Sequence, residues 1–363
     1  MYSSLCIGGE LCRVLLMKVT VKSLAQAAGV SRGTVDRVLH NRGAVKEDVA
    51  KRVRLLAKEL GYVPNRAGRA LAAYKTPIKI GALMPSVGNA FYQEIIQGIN
   101  DAQNEFADLG LEVVLKEVEG FDEAVHLEAI ESLLKKGCKA LCLSTVNTPG
   151  VCARINELHD KGVVVVLLNT DVENTRRLCY VGSDYLTAGA TCAGMLALTR
   201  KEKLHILIVT GSRLLLGHNL RIKGFKEELD RQNIDYEIVD TVESFDSDIR
   251  AQQVTFKVLK EHSEINCVYI AGAAVQGVGS ALIANGSKDI FAIGFDELYS
   301  TKQLVSAGII KFVVCQQPTR QGYHAIKRAY QAVAGQLGDT VPDFITDTII
   351  KIKANLERGV PGR

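Results

Sequence analysis

Residues 20–43 read TVKSLAQAAGVSRGTVDRVLHNRG. Val21, Leu24, Ala25 and Ala28 recur at helical spacing behind Thr20, whose hydroxyl suits an N-cap, and Gly29 ends the run. Val30 then leads into Ser31, a second cap. Val35, Val38 and Leu39 follow at i, i+3 and i+4, giving the next segment one buried stripe. Its other face carries Arg32, Gly33, Asp36 and Arg37. Two short helices around a glycine turn make the helix-turn-helix pattern, in which the second helix offers its N-terminal residues to the major groove. A third segment, Lys46 to Leu60, places Val49, Val53, Leu56 and Leu60 on one side and supplies the core that two short helices lack.

A compact basic surface module would show the same pattern, so charge has to separate the readings. From Lys18 to Lys75 there are 13 Lys/Arg against four Asp/Glu, while the remainder from 76 onward is mildly acidic and the whole chain carries +4. A basic head on an acidic body points to a polyanionic partner for the head.

The 363 residues exceed one typical core and predict two or three units. With 47% hydrophobic and 23% charged residues and no low-complexity tract, the chain is globular rather than disordered. The longest apolar run, Val163 to Leu168, is far short of a membrane span. Residues 1–17 lack a basic start and an apolar stretch of signal-peptide form, so the expected location is the cytoplasm. Nine cysteines stand singly with no CxxC pair, several of them (Cys138, Cys142, Cys179, Cys267, Cys315) in strand-like runs. They read as reduced core residues, with no metal site and no cofactor expected.

Past the head lies GYVPNRAGRALAAYK, residues 61–75. With it the head resembles the DNA-binding region of the LacI/GalR family of bacterial transcription regulators. The matching residues are Ala27, Gly29, Val30, Ser31, Thr34, Val35, Arg37, Val38 and Asn41, then Gly61, Tyr62, Pro64, Asn65, Arg66 and Leu71. The resemblance implies a hinge helix over 65–73 that orders when a dimer sits on its operator, with Leu71 wedged between base pairs in the minor groove. It also implies DNA contacts from Thr20, Ser31, Arg32, Gly33, Thr34, Arg37, Asn41, Asn65, Arg66 and Leu71. Arg32 and Gly33 occupy the two base-reading positions, so the operator cannot be copied from a relative; Arg32 suits a bidentate contact to guanine. Gly68, inside the hinge segment, weakens a free helix there.

Beyond Thr76, ten apolar strand candidates run from Lys79–Met84 to Lys311–Gln316 and alternate with amphipathic windows such as 91–108 and 123–136. That rhythm predicts an α/β body of two doubly wound parallel sheets, with any ligand beyond the carboxyl ends of the strands. The body resembles a ribose-type periplasmic sugar-binding protein. The expected division is an extension over 1–17, the helix-turn-helix domain over 18–63, the hinge over 64–76, the effector-binding and dimerisation domain over 77–353 and a tail over 354–363. Lobe 1 would comprise about 77–182 and 317–340, and lobe 2 about 183–316 and 341–353.

The resemblance assigns Asn89, Phe91 and Tyr92 to a polar contact and two rings sandwiching a pyranose, whose C–H faces suit aromatics. It assigns Arg221 to gripping ligand hydroxyls, Phe245 to an aromatic wall, Asp296 to an anchoring carboxylate and Gln316 to an amide. Phe91 and Tyr92 also fit a plain core, and Arg221 also fits a loop cap. Ser144, Asn169, Thr170 and Gly272 replace the amide, aspartate, arginine and second amide of ribose binders. Asp171 then stands as the substitute carboxylate. Sugar, sugar acid, polyol and phosphosugar all remain open.

No P-loop, HExxH or GxSxG occurs, and GAAVQGVG near Gly272 lacks the spacing of a dinucleotide loop. An enzyme is therefore not expected. A transport-associated sugar-binding protein would share the body but carry a signal peptide and no basic head. The expected function is a sugar-responsive transcription regulator, a repressor in form, acting as a homodimer on a pseudo-palindromic operator. The tail has no leucine heptads, so coiled-coil tetramers are not expected. Residues 1–16 precede the MKVTVKSLA start typical of relatives, which points to an upstream start codon or a disordered extension; the mass of the native N-terminus distinguishes them.

Overall fold

In the computed structural model, which describes residues 19–39, 45–60, 62, 77–200, 202–286, 289–338 and 340–356, the chain separates into an N-terminal unit and a larger body beginning at Ile78. The extension, Asn41, the hinge segment with Asn65, Arg66 and Leu71, and most of the tail lie outside the described residues.

The head holds α1 (Val21–Ala28), α2 (Arg32–Leu39) and α3 (Glu47–Glu59). Thr20 and Ser23 form a reciprocal capping box at the start of α1. Gly29 ends it at φ 64°, a left-handed conformation that glycine adopts without steric penalty. Leu24, Ala25, Ala28, Val35, Val38, Ala50 and Val53 make a small core, with Val49 and Leu56 packed at its edge. Leu60, expected on the buried stripe, is 44% exposed, because α3 stops at Glu59 and Leu60 has already left its apolar face.

The body runs β1 (Ile78–Met84), α4 (Phe91–Phe106), β2 (Leu111–Glu117), α5 (Glu123–Lys135), β3 (Ala140–Leu143), α6 (Pro149–Asp160), β4 (Val164–Asn169) and β5 (Cys179–Ser183). It continues through α7 (Tyr185–Thr199), β6 (Leu204–Thr210), α8 (Leu216–Arg231), β7 (Tyr236–Glu243), α9 (Asp248–Glu261), β8 (Cys267–Ile270) and α10 (Val275–Asn285). Then come β9 (Phe291–Phe295), α11 (Tyr299–Ser306), β10 (Ile310–Cys315), α12 (Pro318–Val333), β11 (Phe344–Thr346), β12 (Ile349–Ile352) and α13 (Lys353–Leu356). All ten expected strands form. They build two six-stranded sheets, ordered β11-β5-β4-β3-β1-β2 and β12-β10-β9-β8-β6-β7.

Helices cover both faces of each sheet, which is why the central strands are apolar at nearly every position. In β6, Leu207 and Val209 face the core under α9 and α10, while Ile206 and Ile208 face the one under α7 and α8. Two short strands depart from expectation. Residues 341–353, expected in the second lobe, divide between the two: β11 pairs with β5 in the first sheet and only β12 joins the second. There β12 runs antiparallel to β10, so that sheet is not wholly parallel.

The chain passes between the sheets after β5, after β10 and between β11 and β12. Gln321, fully buried on α12, joins all three crossings. Its side-chain amide lies 2.8 Å from the Gln316 carbonyl, 3.3 Å from Thr346 Oγ1 and 3.4 Å from Ser183 Oγ.

Candidate functional site

On the head, α2 presents Arg32, Gly33, Asp36 and Arg37 to solvent. Ser31 caps the helix by accepting the Thr34 amide at 3.1 Å, and its hydroxyl pairs with that of Thr34 at 2.9 Å. Arg37 Nε donates to the Gly33 carbonyl at 3.1 Å, so the guanidinium lies back toward the helix N-terminus, the end that enters a groove in this motif. A Cβ at Gly33 would meet only Ser31 Oγ, at 3.8 Å. Packing within the head therefore does not impose glycine at that position.

In the body, the loops after the strands of both sheets converge on one cleft. Six of the eight described non-glycine residues with positive φ lie in these loops: Asn169, Phe245, Asp246, Ala274, Asp296 and Gln317. Such conformations cost energy and concentrate where the backbone must aim a side chain. The cavity between the lobes is small, about 30 Å³, room for one or two water molecules.

Eight of the expected site residues come together on its wall: Asn89, Phe91, Tyr92, Asn169, Arg221, Gly272, Asp296 and Gln316. The rings of Phe91 and Tyr92 meet edge to face at 5.4 Å. Burial pushes the Tyr92 phenol well above its ordinary range, so its hydroxyl stays protonated, 3.3 Å from Ser144 Oγ. Asn169 Nδ2 donates to Gln321 Oε1 at 3.1 Å, which ties the cleft to the three crossings. Arg221 is held by its Nη1 bond to the Ala271 carbonyl at 3.0 Å and by the Phe295 ring, 3.5 Å away. Its backbone is fixed by α7, where Gly189 packs so tightly on the Arg221 carbonyl that no side chain fits.

Asp296 Oδ2 accepts from Gln316 Nε2 at 3.0 Å, whereas the buried Oδ1 makes no hydrogen bond to the described residues. Burial raises its carboxyl to about 6, against the opposing pull of Arg221. Arg221 Nε is likewise buried and unbonded. The cleft thus holds one acceptor and one donor whose bonding capacity is unused.

Three expectations are corrected. Ser144 is buried behind Tyr92 rather than on the wall. Asp171 is not in the cleft, because Arg177 holds its carboxylate through two bonds of 2.7 Å. Phe245 is 48% exposed under Arg250, since the left-handed turn at 245–246 sends the ring outward and brings Asp246 inward.

Asp246, Tyr185, His218, Thr170, Leu215, Gly217 and Ala273 complete the wall. Asp246 accepts from the Ala273 amide at 3.0 Å and from Asn89 Nδ2 at 3.3 Å, the latter bond crossing between the lobes. His218 Nδ1 accepts the Ser212 amide, and burial lowers its pKa, so the ring is neutral with its proton on Nε2. The resemblance names Phe245 and not Asp246, for which the DSD of residues 246–248 is the available sequence signal.

The nine cysteines include seven described ones, all free thiols and six of them buried. No described helix is long and apolar enough to cross a membrane.

Comparison with known proteins agrees with both halves. Residues 80–337 match the periplasmic binding protein domain model, and residues 20–65 match that of bacterial regulatory proteins, lacI family. Catabolite control protein A of Priestia megaterium is 28% identical over 290 residues, covering 77% of this chain and 83% of that protein. The ribose operon repressor of Halalkalibacterium halodurans is 28% identical over 293 residues, covering 79% and 82%. Among solved structures, the glucose-galactose binding protein GanP of Geobacillus stearothermophilus aligns with a TM-score of 0.71 at 26% identity, over 77% of this chain and 99% of that one. With a lacI-type head and a periplasmic-binding-protein body in one chain, the protein belongs to the lacI family of bacterial transcription regulators.

Proposed function

We propose that this regulator is a cytoplasmic homodimeric repressor without enzymatic activity, whose affinity for a pseudo-palindromic operator is set by a small polyhydroxylated effector in the cleft. The observation that carries the effector reading is the unused pair of polar atoms in one enclosed site, Asp296 Oδ1 and Arg221 Nε. A hydroxyl group both donates and accepts, so a diol satisfies the carboxylate and the guanidinium together. Phe91 and Tyr92 supply the apolar surface for the C–H face of a ring, and Asn89, Asn169, Gln316 and Asp246 supply the remaining polar contacts. At Gly272 a Cβ would press on the Gly211 backbone, so the loops after β6 and β8 pack closely at the cleft only without a side chain there.

On the DNA side, Arg32 and Arg37 carry the groove contacts, with the Ser31 and Thr34 hydroxyls and Thr20 near the backbone. Asn41, Asn65, Arg66 and Leu71 take the roles that the resemblance gives them. Binding at the cleft reaches the operator through the lobe crossings that Gln321 joins. A thermal-shift screen of sugars and polyols tests the effector reading. The expected result is a stabilising ligand whose effect disappears in Asp296→Ala, whereas equal shifts in both proteins remove Asp296 from the site.

A further inference from the structure

The charges around the cleft are unequal. Its wall carries the carboxylates of Asp246 and Asp296, one guanidinium from Arg221, and the neutral ring of His218. The adjoining cavity at the mouth is lined by Asp246, Asp248 and Asp296, and its described lining contains no lysine, arginine or histidine.

Backbone donors do not redress this balance. The start of α10 faces the mouth, and an exposed helix N-terminus is a natural anion site. Here the protein's own acids occupy it: Asp248 Oδ1 accepts the Gly277 amide at 2.9 Å and Asp246 Oδ1 the Ala273 amide at 3.0 Å. Arg221 is already partly committed to the Ala271 carbonyl. The unused Asp296 Oδ1 requires a donor, which a hydroxyl supplies and a carboxylate or phosphate at neutral pH does not.

We propose that the effector is a polyol without negative charge, and that the cleft rejects the acid and the phosphate of the same sugar. This inference rests on the effector reading above and deepens it, because polar chemistry alone would admit all three. Clefts lined by one sign of charge focus the potential, so discrimination begins at the mouth and completes at Asp296.

The test is isothermal titration of the full chain at pH 7.5. D-glucose, D-galactose and D-mannose are each compared with their uronamide, uronate and 6-phosphate, and myo-inositol with its monophosphate. Uronamide and uronate match in size, so their ratio isolates charge. Binding of a neutral member, with its uronate at least about a hundredfold weaker than its uronamide, is expected from like-charge juxtaposition. In Asp246→Asn that ratio should fall about tenfold. A uronate or phosphate that binds as well as its neutral partner, or a ratio unmoved in Asp246→Asn, overturns the proposal. No binding by any member overturns the effector reading beneath it.

Discussion

The recognition helix and the cleft are built on opposite principles. Arg32 and Arg37 stand in solvent on a helix that a Ser cap and a few apolar residues hold in place. Asn169, Arg221 and Gln316 are buried and held by bonds to other parts of the chain, Asn169 from a left-handed turn, while Arg221 keeps its Nε unbonded. Exposed charges act through long-range, salt-screened attraction, whereas buried groups act through the free energy of leaving a partner unmet. Mutations on the helix should therefore change affinity gradually, and mutations in the cleft should change it sharply.

The largest expected effect is at Asp296. Asp296→Asn keeps the shape and the contact to Gln316 but removes the charged acceptor, which should weaken effector binding about tenfold to a hundredfold by titration calorimetry. The same variant checks a pH effect whose sign is fixed. Because the folded carboxyl is raised to about 6, the free protein is favoured when Asp296 is protonated and loses stability as pH rises from about 4 through 6. The loss is at most about 3 kcal/mol. Effector binding favours the ionised form, so affinity should fall on acidification through pH 6. Denaturant titrations and calorimetry at pH 5 and 7.5 should show both trends in the wild type and neither in Asp296→Asn.

Next in size is Arg37→Ala. Operator affinity should fall about tenfold, and the salt slope should flatten by roughly one if Arg37 meets a phosphate. Effector affinity should not move; equal loss of both would mean a folding defect and would erase the contrast between the two surfaces. Gln321→Leu follows. It leaves the Gln316 carbonyl without its amide donor and Asn169 Nδ2 with only its 3.5 Å contact to Gln316 Oε1, while Ser183 and Thr346 keep their mutual bond, and should destabilise the body by about 1–3 kcal/mol in urea titration. The operator response to effector should weaken more than effector binding does. The smallest effect is Gly33→Ala: with space for a Cβ, it should stabilise the head by about 0.5–1 kcal/mol, seen as a higher melting temperature.

The head and the ten main strands were legible because each carries a periodic apolar pattern and a local stop signal, such as Gly29. The short β11 and β12 were not, since three or four residues, Phe344–Thr346 and Ile349–Ile352, cannot display a period. In the cleft, Asp296 and Arg221 were found because they follow a strand end or match a family position. Phe245 came from the resemblance alone; the positive φ that turns its ring outward and Asp246 inward is rare for a phenylalanine, and nothing in the sequence foretells it. Asp171 lies elsewhere because Arg177, which also binds Asp343, clamps its carboxylate, a pairing that only the fold brings about. Gln321 left no sequence signal, as its importance lies entirely in tying segments up to 152 residues away.

The central claim is that the cleft controls the operator. The direct measurement is fluorescence anisotropy of a duplex that the protein itself selects from random sequence, titrated with and without a saturating amount of the neutral polyol that most raises its melting temperature. A change in operator affinity of about fivefold or more, absent in Asp296→Asn, is the predicted result. Identical affinities with and without the bound ligand would contradict the account.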